Sequence, residues 1–378
     1  MKNGICRSSL LRQDGQAIIF NFETKDSAGR KVLYVLNGGE KLFVDNIKTK
    51  GDSIFIEMPF FESGFAARLD ENGNLHGSWL KKGTDSVRIM PFIAMFNQPL
   101  RFPVASPPAY NISGRWAVSF TDRNNKVYKS VGEFQQNGSK LTGTFLTETG
   151  DYRYQEGVVT GDSLKLSCFD GGNAYLFTAK INNDSAISPG SFYSGAVNVE
   201  KWTAKKDINA SLPDGYSDTT LKPGENKFNF RFKSTDDKFV SIKDDKYKGK
   251  VVIVQLLGSW CPNCMDETKF LSEYYKANRE KGIEIIGLAY EYSTDWERSK
   301  KSVTSFQTRF DVAYPILITG VTASDSLRTE KTLPQLNKIS AFPTSIFIDK
   351  RGIVRKIYTG FTGPGTGEHY EAFRKEFY

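Results

Sequence analysis

Over the first 205 residues apolar and polar side chains alternate in short runs, with turn residues between them. Ala17-Ile18-Ile19-Phe20-Asn21-Phe22, Lys31-Val32-Leu33-Tyr34-Val35-Leu36 and Ser53-Ile54-Phe55-Ile56-Glu57-Met58 are three such runs. Asn37-Gly38-Gly39, Glu71-Asn72-Gly73 and Gln136-Asn137-Gly138 supply turns. A period of two marks half-buried strands, and no stretch here holds a 3.6-residue period, so this part is predicted to be nearly all β. The grammar changes after a polar, turn-rich break at 207–224. Val251-Val252-Ile253-Val254-Gln255-Leu256-Leu257 is almost continuously apolar, the mark of a strand buried on both faces. Helical stretches are expected at 265–281, near 294–310, near 326–336 and at about 368–377. They alternate with strands at 283–288, 314–318, 344–349 and 353–358. That alternation predicts an α/β layer fold with a mixed sheet.

The β part reads as duplicated. Gly51-Asp52-Ser53-Ile54-Phe55-Ile56 is echoed by Gly161-Asp162-Ser163-Leu164-Lys165-Leu166 at an offset of 110, and Gly77-Ser78-Trp79 stands beside Gly190-Ser191-Phe192. Upstream, the run from Gly15 resembles the run from Gly114 at an offset near 99, which implies about eleven extra residues in the second copy. The organisation expected is a first β-module at 1–100, a second at 109–206, a linker at 207–224 and an α/β domain at 225–378. The second module offers about eight strands, enough for an up-and-down barrel with Trp116, Phe120 and Phe134 lining its interior. The first offers six or seven, and stays open or leans on its neighbour.

Composition narrows the chemistry. Hydrophobic residues at 39% and charged residues at 25% fit a folded globular chain of 378 residues. Only two histidines occur, His76 and His369, which leaves no His cluster for metal and argues against a Ser-His-Asp or Cys-His catalyst. The net charge of +8 is spread evenly: residues 1–210 carry 25 basic and 21 acidic side chains, and 211–378 carry 26 and 22. With no basic block, nucleic acid is not the expected partner. No run of 18 apolar residues spans a membrane, and the start, Met1-Lys2-Asn3-Gly4-Ile5-Cys6, lacks a signal-peptide core. The chain is therefore read as cytosolic or as an exported protein without its signal, and Cys6 is not expected to carry a lipid.

At the end of the most buried strand comes Trp260-Cys261-Pro262-Asn263-Cys264. Two residues between cysteines on the first turn of a helix bring the sulfurs within reach of one disulfide. They also place Cys261 at the helix N-terminus, where free N–H groups favour a thiolate titrating at roughly 3.5–7.5 instead of near 8.5. Pro262 suits the first helical position. Half of a zinc site is the competing reading, but it needs a second pair of ligands, and only Cys6, Cys168 and two distant histidines remain. No metal or organic cofactor is expected. Cys168 is expected as a free buried thiol, with pairing to Cys6 as the alternative.

These residues resemble the TlpA/ResA-like thiol-disulfide oxidoreductases, thioredoxin-fold proteins of the bacterial cell envelope. Lys248-Gly249-Lys250-Val251-Val252 running into Trp260–Cys264 matches the family's strand and motif. Phe342-Pro343-Thr344-Ser345-Ile346-Phe347-Ile348-Asp349, about eighty residues on, matches its Pro-Thr strand. The likeness covers about 222–378. It implies a thioredoxin-like fold, a cis Pro343 facing the disulfide, and a Phe342 whose backbone pairs with a substrate strand. It makes Cys261 and Cys264 the catalytic pair and Trp260, Pro262, Asn263, Phe342, Pro343 and Thr344 the substrate-binding surface. Many members carry a Glu six residues after the first cysteine. Glu267 stands there, as the candidate proton acceptor for Cys264 or as a plain exposed first-turn Glu. Where thioredoxin has a buried Asp six residues before the first cysteine, this chain has Gln255, which cannot act as a carboxylate base.

The function expected is thiol-disulfide exchange with protein substrates, in the reducing direction, fed by an upstream redox partner in the periplasm or cell envelope. Direction and location come from the resemblance alone. One rival is a binding protein whose β-modules capture a ligand or partner while the redox centre is secondary. Another is a peroxiredoxin-like peroxidase, against which stand the paired cysteines and a Gly258 where that family has Thr.

Overall fold

The computed structural model describes residues 1–59, 61–84, 86–212 and 219–377. Residues 1–147, 151–212 and 364–378 form one compact unit, and 148–150 with 213–363 form the other. This grouping differs from the expected segmentation in joining both β-modules. It also takes the last helix (α4, Glu368–Phe377) away from the α/β part. The helix is held there by His369, whose Nε2 lies 2.9 Å from Glu133 Oε1 and also meets Arg115. The expected linker at 207–224 falls in part, at 213–218, outside the described residues.

Alternation becomes strand throughout the first unit. Its opening strands are β1 (Gly4–Leu11), β2 (Ala17–Ser27), β3 (Arg30–Asn37), β4 (Glu40–Val44) and β5 (Asn46–Lys50). Then follow β6 (Ser53–Glu57), β7 (Ser63–Leu69), β8 (Leu75–Lys82) and β9 (Val87–Phe96). They pair in the order β4-β3-β2-β1-β9-β8-β7-β6-β5. Only Asp45 parts β4 from β5, and the two halves pair with β3 and β6 respectively. The seam is thus bridged by the chain itself. The first module has nine strands, more than the six or seven expected.

The second module repeats the plan with β10 (Gly114–Thr121), β11 (Val127–Asn137), β12 (Lys140–Thr147), β13 (Gly150–Asp151) and β14 (Gln155–Thr160). It continues through β15 (Ser163–Phe169), β16 (Ala174–Asn183), β17 (Ala186–Ser194) and β18 (Asn198–Lys206). A direct β11–β12 pairing closes it into an up-and-down barrel of eight principal strands. Trp116, Phe120 and Phe134 are each at most 2% exposed. Around them the rings stack, with Phe177 and Phe192 at 4.2 Å and Phe145 and Phe177 at 4.4 Å between centroids.

Strand pairing corrects the duplication. β1 lies between β2 and β9, and β10 lies between β11 and β18. Gly4 and Gly114 open these strands with φ of 148° and 111°. Gly114 therefore answers to Gly4, not Gly15, and the offset is 110 here as at Gly51 and Gly161. The eleven extra residues do not exist. Alternation beside a glycine looks the same in a first strand as in a second, which is how the offset of 99 arises. The Gly77/Gly190 match stands: each faces an alanine on one side and an aromatic on the other, Ala67 and Phe92 or Ala179 and Trp202. A Cβ on Gly190 would come within 2.5 Å of the Trp202 ring, so only glycine fits.

Arg101, in the connection between modules, ties them together. It is 5% exposed and donates to Asn21 Oδ1 at 3.3 Å, to Ser167 O at 2.9 Å and to Leu36 O. Phe20 of the first module stacks on Phe169 of the second at 4.3 Å.

The second unit is a layered α/β fold. It contains β19 (Arg231–Ser234), β20 (Phe239–Ser241), β21 (Val251–Leu257), β22 (Ile283–Ala289), β23 (Ile316–Ile318), β24 (Thr344–Ile348) and β25 (Val354–Thr359). Their order is β20-β19-β23-β22-β21-β24-β25. The central β21, β22 and β23 are parallel and the flanking pairs antiparallel. Helices α1 (Pro262–Asn278), α2 (Trp296–Arg309) and α3 (Arg328–Thr332) connect them. The β19–β20 hairpin leaves no mark in the sequence pattern, because strands of four and three residues are too short to show a period. α3 stops well before 336, since Pro334 offers no N–H and pushes Leu333 out of the helical region.

Replacing Arg101 with Ala strands several buried carbonyls at once, each worth about 1–3 kcal/mol. R101A is expected to lower the stability of the β unit by about 3 kcal/mol or more, read as the shift of its urea midpoint in the full chain. A change below about 0.5 kcal/mol would show that the modules hold together without it.

Candidate active site

β21 is central because both faces are covered, and where it ends the chain turns through Gly258 and Ser259 into α1. A Cβ on Gly258 would lie 2.2 Å from the Trp260 indole, so the absence of a side chain lets Trp260 fold back over the turn. Trp260 donates its indole N–H to Tyr290 O at 2.8 Å and stacks on Tyr292 at 4.7 Å, with Phe342 edge-on at 5.9 Å. It is half-buried, part of the wall around the sulfurs.

Cys261 is the N-cap of α1 and Pro262 its first residue. The Cys264 N–H donates to Cys261 Sγ at 3.2 Å, so the cap acceptor is the sulfur itself. Cys261 and Cys264 are joined in a disulfide, with Cα atoms 5.2 Å apart. Cys261 is 5% exposed and Cys264 not at all, so only Cys261 has an outward route. Pro262 and Asn263 flank it, half-buried.

From the opposite side the 341–344 loop reaches the same sulfur. Phe342 O lies 3.5 Å from Cys261 Sγ, and the Phe342–Pro343 peptide is cis. Thr344 is wholly buried and donates its hydroxyl to Ala341 O at 2.8 Å. It holds the loop and offers no surface.

Glu267 is not the exposed first-turn residue that was the alternative reading; it is 3% exposed. Its Oε2 accepts from Gln255 Nε2 at 2.8 Å and its Oε1 from the Ser345 hydroxyl at 2.9 Å. Gln255 also exchanges hydrogen bonds with Thr268 and accepts from Tyr314. The amide that stands in for a carboxylate thus supports one. Burial raises Glu267 from its ordinary 4.5 to about 7, and its two donors moderate the rise.

Sequence reasoning missed Ser345, Tyr292 and Glu291. Ser345 and Tyr292 carry no spacing signal. Glu291 did carry one: a carboxylate two residues past a buried parallel strand stands where open α/β sheets gather their functional groups.

Residues 222–372 match the Redoxin family. The thiol-disulfide oxidoreductase ResA of Geobacillus kaustophilus is 30% identical over 144 residues, 38% of this chain and 74% of that protein. The ResA of Bacillus thuringiensis subsp. konkukian is 28% identical over 171 residues, 45% of this chain and 87% of that protein. This chain belongs to the ResA family of thiol-disulfide oxidoreductases. A solved thiol:disulfide interchange protein of the thioredoxin family from Chlorobium tepidum TLS is 19% identical, covering 41% of this chain and 98% of that one, with a TM-score of 0.31. The Redoxin match over 222–372 makes the C-terminal part thioredoxin-like, and this ResA-family enzyme carries the two β-modules before it.

In this ResA-family site Glu267 makes stability fall as pH rises. With a native value near 7 and an unfolded value near 4.5, the folded chain holds a proton that the unfolded chain has released. The cost is absent below pH 4.5, grows through the interval and is complete above pH 7, at about 3 kcal/mol. E267Q, whose amide still accepts while the Ser345 hydroxyl turns, is expected to remove that slope. Urea midpoints at pH 4.5, 6 and 8 measure it, and parallel profiles for the two proteins would contradict it.

Proposed function

We propose that this protein reduces disulfides in partner proteins of the cell envelope through Cys261 and Cys264, and is itself re-reduced by an upstream dithiol donor. The observation that carries the reading is the asymmetry of the pair. Cys261 caps the helix, has the outward route and faces Phe342 O, whereas Cys264 is enclosed.

In the reduced protein the Cys261 thiolate attacks one sulfur of a substrate disulfide. A Cys261–substrate bond forms and the other substrate sulfur leaves as thiolate. Cys264 then gives its proton to Glu267 and attacks Cys261 Sγ. The intramolecular disulfide forms, the second substrate thiolate leaves, and two electrons have passed to the substrate. A carboxyl near 7 is matched to accepting that proton at neutral pH. Trp260, Pro262, Asn263 and Phe342 are the docking surface in this reading. Phe342 lends its backbone to an extended substrate, while Pro343 and Thr344 hold the loop in place. The dithiol carries the electrons, so no metal or organic cofactor enters. The envelope location is supported by the ResA likeness. Among the described residues no helix is long and apolar enough to cross a membrane.

C264S is expected to accumulate a mixed disulfide with a Cys-bearing partner, and C261S to accumulate none. E267Q is expected to slow resolution of the mixed disulfide about 10²-fold at pH 7. Non-reducing electrophoresis after acid quenching reads both. Equal trapping by the two cysteine variants, or unaltered resolution in E267Q, would contradict the assignment.

A further inference from the structure

Glu291 takes no part in the exchange described above, yet it lies against the turn that carries the nucleophile. It stands two residues beyond β22 and is 6% exposed. Its Oε1 accepts the Ser259 N–H at 2.9 Å and its Oε2 accepts the Ser259 hydroxyl at 2.6 Å. Ser259 is itself 5% exposed. On one side of it, Gly258 O accepts the Cys261 N–H at 3.0 Å. On the other, Trp260 is held by Tyr290 O. The 258–260 turn therefore hangs from two consecutive residues at the end of β22, the Tyr290 carbonyl gripping Trp260 and the Glu291 carboxylate gripping Ser259. The strand end is fixed in turn, because Ala323 N–H donates to Glu291 O at 3.2 Å.

A carboxylate is a costly choice for a buried position, and an apolar side chain of like volume would pack there without that penalty. What the carboxylate adds is a pair of acceptors set against both donors of one residue. The Ser259 amide belongs to no helix or strand, and burial without a partner would leave it orphaned.

We infer that Glu291 is a positioning residue for Cys261, acting through Ser259 to hold the turn so that Cys261 Sγ stays on the Cys264 N–H. The inference rests on the proposed exchange at Cys261. When the hold on Ser259 is lost, the turn relaxes, the sulfur leaves the cap position and the thiolate loses the amide that stabilises it. Attack slows because reaction geometry is sensitive to displacements of an ångström.

The direction of one measured quantity separates positioning from simple charge. Removing a negative charge near a thiol lowers its pKa, whereas loss of the cap raises it. E291L, E291Q and S259A are compared with the natural chain by the pH dependence of Cys261 alkylation with iodoacetamide in the reduced full-length protein, and by kcat/KM on a disulfide-bonded substrate. E291L is expected to raise the Cys261 pKa and to lose at least about tenfold in kcat/KM, with an unchanged far-UV circular dichroism spectrum. E291Q keeps an acceptor for the amide, and its NH2 can donate to the serine oxygen, so it is expected to recover most of that loss. A folded E291L with the natural pKa and rate would overturn the inference. So would a pKa that falls equally in E291L and E291Q, which would mark the charge as the active feature. Should E291L not fold, S259A decides: a smaller rise in the same direction supports the inference, and no change overturns it. A natural chain that shows no exchange at all would instead strike at the proposed function.

Discussion

The site depends on one junction, the point where a strand buried on both faces gives way to a helix. β21 cannot shift without disturbing β22 on one side and β24 on the other. Its end therefore fixes where α1 begins. Cys261 is the last residue before the helical backbone, so its sulfur accepts a helix N–H in place of a side-chain oxygen. The same geometry encloses Cys264 one turn on and leaves Cys261 the accessible partner. Chemical asymmetry between two identical side chains thus follows from packing.

Around this junction the chain buries two carboxylates and uses them differently. Glu267 lies on the inner face of α1 among neutral donors, Gln255 and Ser345, so burial dominates and its proton is held to near neutral pH. Glu291 lies at the end of β22 and takes both donors of a single turn residue. One keeps its proton to near neutral pH, and the other grips a backbone turn. Gln255 supports the first of the two. Being an amide, it can donate to Glu267 while accepting from Tyr314 and Thr268, which a carboxylate there could not do without like-charge repulsion.

Much of this is legible in the residues alone. The alternating runs become strands, the apolar run becomes the central strand, and the spacing of Cys261 and Cys264 with Pro262 places the pair on a helix start. Glu267 is identifiable by position, but its burial is not, because a first-turn Glu looks the same whether its face meets solvent or the sheet. Glu291 and Ser259 are 32 residues apart and meet only because β21 and β22 run parallel in register. That relation is a property of the sheet and is absent from any local pattern. The duplication shows the converse limit. Glycine and alternation reveal that a repeat exists, while only strand pairing shows that Gly114 matches Gly4. The short β19–β20 hairpin and the bend at Asp45 leave too few residues to imprint a period. The core of the second module is filled by buried aromatic rings, Trp116, Phe120, Phe145, Phe177 and Trp202 among them.

The most direct test of the whole account is the reduction potential of the Cys261–Cys264 couple, obtained by equilibrating the full chain in redox buffers and trapping free thiols. A protein that reduces disulfides should show a single two-electron transition near or below about −250 mV, on thioredoxin's side of the scale. A midpoint near about −120 mV would mark an oxidant that introduces disulfides, and the lack of any two-electron transition would mean that the two sulfurs do not work as a pair.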